Sequence, residues 1–129
     1  MTPSDSGQVL SLDRLKVRAD FLRAARGIRR VAPGLTLEIC PTPEPKPGTI
    51  RVGFTASRKI GNAVVRNRAK RRLRAAAAAV LPLSGAAGTD YVLVARAATV
   101  ARPFDGLLAD LAGAIRAAHA KLGRAGESP

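Results

Sequence analysis

From Ala63 to Val80 the chain contains neither glycine nor proline, and within that stretch RNRAKRRLR (Arg66–Arg74) gathers six cations around one asparagine. A run of this length without a breaker is helical if its apolar residues recur every three to four positions. Here they do: at 100° per residue Val65, Ala69, Leu73, Ala76 and Val80 share one narrow stripe. Arg66, Asn67, Lys70, Arg71 and Arg74 occupy the other side, with Arg68 and Arg72 at the stripe's far edge. Asn62 precedes the run as an N-cap, because its short side chain can accept from the free N–H groups of the first turn. The predicted helix therefore docks one face on a core and holds its cations in a fixed array.

Nothing in the helix neutralises that array. No acidic residue occurs between Glu44 and Asp90, whereas Lys46, Arg51, Arg58 and Lys59 add to the cations of the helix. Carboxylates spaced to form i,i+4 pairs are absent, so the array is not the mixed-charge solvated face that most Arg-rich helices present. The net charge of +13 extends the same bias to the whole molecule. Such a field captures polyanions, nucleic acid before anionic lipid, and the planar Arg fork donates two hydrogen bonds to one phosphate.

The rest of the chain supplies a core for the helix to pack on. Its 129 residues suit one domain, expected over residues 11–122, with residues 1–10 and 123–129 expected to be disordered ends. Arg18 to Arg26 reads as a short amphipathic helix stopped by Gly27. Leu35–Ile39 and Ile50–Phe54 alternate apolar and polar with period two, and read as an antiparallel pair of strands. Between them CPTPEPKPG (Cys40–Gly48) places four prolines in nine residues and reads as a stiff exposed loop. Asp90–Ala95 is a near-continuous apolar run, typical of a strand buried on both faces. Phe104–Ala120 reads as a final helix. The order defines an α+β domain with helices on a small sheet.

Few residues could perform protein-borne chemistry. The single histidine, His119, is expected at the surface near the end of the last helix, and Asp105 and Asp110 are expected to be solvated. No Cys/His spacing suggests a zinc site, and SRKIGN holds a lone glycine instead of a phosphate loop. Cys40, the only cysteine, fits a small buried strand residue in a reducing cytoplasm. No run approaches the roughly 20 apolar residues that span a bilayer, so the expected setting is cytoplasmic with no membrane partner.

The stretch RVGFTASRKIGNAVVRNRAKRRLR (Arg51–Arg74) closely resembles the signature of the bacterial ribonuclease P protein family. RLKVRADFLRAARG resembles that family's first helix, and DYVLVAR its later strand. The resemblance implies an α-β sandwich of order αβββαβα, with a left-handed βαβ crossover through the basic helix. It also implies a ribonucleoprotein endonuclease in which the RNA subunit cleaves the 5′ leader from precursor tRNA with Mg²⁺ and the protein carries no catalytic residue. Partners would be the catalytic RNA and precursor tRNA. By position Arg66, Asn67, Arg68, Lys70, Arg71 and Arg74 would face the RNA subunit. Phe21, Ser57, Arg58 and Lys59 would form the leader cleft, and Phe54 belongs either there or in the core. The chain departs from the family pattern at Ala25, where many relatives have a second aromatic, and near Glu38, where another is replaced. Three other readings remain: a structural RNA-binding protein such as a ribosomal subunit, a cationic membrane-surface helix, and a self-sufficient protein nuclease. The second lacks large apolar residues opposite its arginines, and the third lacks a carboxylate or histidine cluster.

Overall fold

The computed structural model describes residues 9–127, with side chains to 122. The elements are β1 (Ser11–Arg14), α1 (Arg18–Ala25), β2 (Ile28–Val31), β3 (Leu35–Pro41), β4 (Thr49–Thr55), α2 (Ala63–Ser84), β5 (Thr89–Ala95) and α3 (Phe104–Glu127). This is the expected α+β order preceded by one short extra strand. A single mixed sheet runs β1-β4-β5-β3-β2. β4 lies parallel to both β1 and β5, whereas β3 is antiparallel to β5 and β2.

Alternation sorts the side chains onto two faces. Leu35, Leu37, Ile39, Ile50, Val52, Tyr91 and Leu93 form one face, sealed by Ala69, Leu73, Ala76, Ala77 and Leu81 of α2 and Leu107, Leu111 and Ile115 of α3. The other face packs Cys40, Val92 and Val94 against Phe21 and Ala24 of α1 and against Leu15. β5 is covered on both sides, as its unbroken apolar run requires.

The two alternating strands run in opposite directions but are not neighbours. β5 lies between them, pairing Leu37 with Leu93 on one side and Phe54 with Leu93 on the other. An apolar strand needs the centre of a sheet, and the long proline segment lets the chain step over it. That segment is not all loop, since Cys40 and Pro41 still pair with Asp90 and Thr89. Pro41 ends the strand, a position that tolerates a residue without an N–H.

The described fold extends slightly past both expected domain bounds, residues 11 and 122. The Leu10 N–H donates to the Pro82 carbonyl at 3.0 Å, and Leu10 packs on the core. Pro82 lies inside the last turn of α2. Its missing N–H frees only the carbonyl of Ala78, an exposed residue where water can take its place. Gly123 does not stop α3, whose backbone continues to Glu127. Residues 1–8 and 128–129 lie outside the described residues.

His119 is not a surface group. Its Nε2 lies 2.6 Å from the hydroxyl of Tyr91, a fully buried ring. The Tyr91 oxygen also accepts from the Ala86 N–H at 2.8 Å. Burial holds the His119 pKa below its ordinary 6.5. The unfolded chain therefore takes up this proton first as pH falls. The stabilisation is complete above about 6.5 and is lost as pH falls toward the depressed folded value. Melting temperature should drop between pH 7.5 and pH 5.5, and His119→Gln should flatten that slope; an unchanged slope in the variant would dismiss the pair as its source.

Candidate nucleic-acid interface

The predicted residues lie on α2, on α1 across the sheet from it, and in the turn between β4 and α2. On the α2 side, Gly61 (φ 148°) adopts a backbone conformation that side chains rarely reach, and a Cβ there would meet Val65. The turn delivers Asn62 as N-cap, its Oδ1 accepting from the Val65 N–H at 3.0 Å. From this start the helix exposes Asn67, Arg68, Arg71 and Arg74, with Arg66 and Lys70 half-buried. Among the described residues no ion pair involves a cation of α2. The positive end of the helix dipole adds to their field.

The cations differ in what holds them. Arg72 is structural: its guanidinium donates to the carbonyls of Thr99 (3.0 Å) and Arg102, tying α2 to the turn before α3. Arg74 stands 5.4 Å from the centre of the Phe54 ring, with Arg14 at 5.8 Å. Arg66 reaches the Gly61 carbonyl at 3.4 Å. Arg68, Lys70 and Arg71 make no side-chain hydrogen bond among the described residues, and are free for a ligand.

On the α1 side, Phe21 lies against Gly53 of β4. A Cβ at that glycine would come within 2.5 Å of the ring, so the glycine forms the notch that seats it. Ser57, Arg58 and Lys59 are exposed in the 3-10 turn just beyond the end of the same strand. The turn leads directly into α2, and its Ile60 packs on the main core. Phe54 does not join Phe21. It points to the opposite face with Ile50 and Val52, packing on the main core beside Arg74. Ala25 is exposed one turn after Phe21. Glu38 is half-buried on the Phe21 face, 3.9 Å from Arg29, and burial raises its pKa.

Sequence reading missed the ion-pair network beneath α1. Asp90, fully buried, accepts from Arg51 Nε (2.8 Å) and Nη2 (2.6 Å) and from the Thr42 hydroxyl (2.7 Å). Asp20 accepts from Arg23 at 2.8 Å and lies 3.4 Å from Arg51. The Arg23 hydrogen bond holds the Asp20 carboxyl below its usual range, and the Asp90 bond raises the Arg51 pKa. A signal existed for one partner: Asp90 places a carboxylate at the head of an apolar run. Asp110 is likewise not a solvated acid, since it binds Arg102 bidentately and accepts from the Gly34 N–H. The Cys40 thiol is buried, and its pKa is raised by that burial, which leaves it unreactive.

The profile of the family Ribonuclease P matches residues 11–119. The "Ribonuclease P protein component" of Ruegeria pomeroyi is 53% identical over 107 residues, covering 82% of this chain and 86% of the relative. That of Paramagnetospirillum magneticum is 51% identical over 108 residues, covering 81% of each. A Staphylococcus aureus RNase P protein mutant superposes with a TM-score of 0.68 at 27% identity, covering 82% of this chain and 87% of that one. The RNase P protein of Thermotoga maritima shares the fold, with a TM-score of 0.66 at 22% identity, covering 81% of this chain and 96% of that one. The chain belongs to the bacterial ribonuclease P protein family. Its role is that of a subunit of an endoribonuclease holoenzyme, assisting the RNA in removal of the 5′ leader of precursor tRNA.

Proposed function

We propose that the exposed face of α2 docks the catalytic RNA subunit and that the surface around Phe21 and Ser57–Lys59 holds the single-stranded leader of precursor tRNA. The observation that carries the first half is the unopposed cation array of Arg66, Arg68, Lys70, Arg71 and Arg74. Repulsion of that kind is relieved when RNA phosphates supply the counter-charge. Phe21, half-buried, offers a base an aromatic ring, and Arg58 and Lys59 offer its phosphates two cations. With Ala25 and Glu38 in place of further aromatics, leader binding here leans on charge. Contacts of this type need not read bases, which suits one protein serving many precursors.

Mg²⁺ belongs to the RNA in this reading. The described residues contain no group of three or more His, Cys, Asp or Glu side chains that could hold a metal ion, so no protein cage is assigned to it. No helix among the described residues is long and apolar enough to cross a membrane; we place the protein in the cytoplasm, with its RNA partners. Reconstitution tests the whole reading. Purified protein added to the RNA subunit at low Mg²⁺ should accelerate leader removal well beyond RNA alone. An unchanged rate would overturn it.

A further inference from the structure

A second aromatic lies beside the basic helix, on the flank opposite Phe54. Phe104, the first residue of α3, is 39% exposed and forms, with Val100, Arg68, Arg71, Arg72 and Ala75, an open cleft of about 470 Å³. The Arg72 guanidinium stands 5.9 Å from the ring centre. The cleft is held firmly from below. Arg72 is fixed by the carbonyls of Thr99 and Arg102, Arg102 is fixed by Asp110 at 2.8 and 3.0 Å, and the buried Thr99 hydroxyl donates to the Gly34 carbonyl at 2.7 Å. A partly exposed apolar ring thus shares one cleft with a fixed guanidinium and the two arginines Arg68 and Arg71, which make no side-chain hydrogen bond among the described residues.

We propose that this cleft binds one unpaired nucleotide of the RNA subunit, its base stacked on Phe104 and its phosphates held by Arg68 and Arg71. A planar ring beside free Arg forks matches a nucleotide, with a π face and an anion a few ångströms apart. A duplex would use the arginines and leave the ring idle. The leader is the less suitable occupant, because Phe21 lies beyond the sheet on the other face. The assignment rests on the proposed docking of the RNA subunit along α2 and adds a stacking contact to its phosphate contacts.

The test is equilibrium binding of the full chain to the isolated RNA subunit, with melting temperature as a folding check. Phe104→Ala should weaken binding about tenfold, within the ~5- to ~150-fold range that one base–aromatic stack spans. Phe104→Leu, which keeps the apolar packing, should lose nearly as much, whereas Phe104→Trp should retain affinity. A photoreactive phenylalanine at position 104 should crosslink to one unpaired nucleotide of the RNA subunit within the holoenzyme. Wild-type affinity in both Phe104→Ala and Phe104→Leu would overturn the proposal, as would crosslinks confined to precursor tRNA. If the unaltered protein fails to bind the RNA subunit at all, the docking reading itself falls, a result distinct from a silent Phe104.

Discussion

Replacing Arg68, Lys70 and Arg71 together with alanine should reduce affinity for the RNA subunit by about 10²–10³-fold near 0.1 M salt, while leaving the fold intact. Each phosphate neutralised on a duplex contributes about 0.9 to the slope of log affinity against log salt. Three lost contacts should therefore flatten the slope by roughly 2–3 and bring the variant close to wild type near 1 M salt. Folding should be unaffected or improved, since these side chains make no described hydrogen bond and alanine is the better helix former. Arg72→Ala is the informative contrast. It removes the bonds to the Thr99 and Arg102 carbonyls, so its loss should appear first in the melting temperature. A triple variant with an unchanged salt slope would move the RNA off α2.

The second large effect concerns stability. Asp90→Ala should destabilise the domain by about 3 kcal/mol, the lower part of the range for removing one partner of a buried pair. Arg51 would keep only Asp20 at 3.4 Å, and its side chain, 27% exposed, could reach some water. The Thr42 hydroxyl would lose its acceptor as well. Asp13→Ala provides the scale. The Asp13–Lys46 pair is 3.8 Å long and exposed at both ends, and such pairs contribute ~0–1 kcal/mol. Urea unfolding followed by far-ultraviolet circular dichroism would read both variants. Equal midpoints for the two would show that the buried network does not hold the sheet to α1.

Much of this was legible because it is local. The spacing of Val65, Ala69 and Leu73 placed α2 and its outward cations, and the unbroken apolar run of β5 implied cover on two faces. What failed was pairing at a distance. Periodicity says that β3 and β4 are strands, not that β5 separates them, although a doubly buried strand already argued for the centre. β1 escaped because four residues, SLDR, are too short to show a period. Asp110 looked solvated because one partner, Gly34, lies 76 positions away in sequence and the other, Arg102, eight residues back, outside the spacing of one helical turn, and His119 because nothing near it in the chain suggests Tyr91. Phe54 was decidable: it shares parity with Ile50 and Val52, both core residues. The RNA-facing assignments came from family likeness added to charge, since charge alone names a polyanion and no more.

The ion pairs of the α1 side have a kinetic consequence. There the cations Arg23, Arg29, Arg51 and Lys46 already face Asp20, Glu38, Asp90 and Asp13, whereas the cations of α2 face none among the described residues. On the proposed assignment, one small protein grips two RNAs of identical backbone chemistry with unequal strength. Arg58 and Lys59, assigned to the leader, make no ion pair among the described residues either, so the contrast is one of number: two such cations for the strand that departs after cleavage against five on α2 for the strand that stays. Unequal grip then follows from how many unpaired cations each surface offers, with the same phosphate chemistry on both.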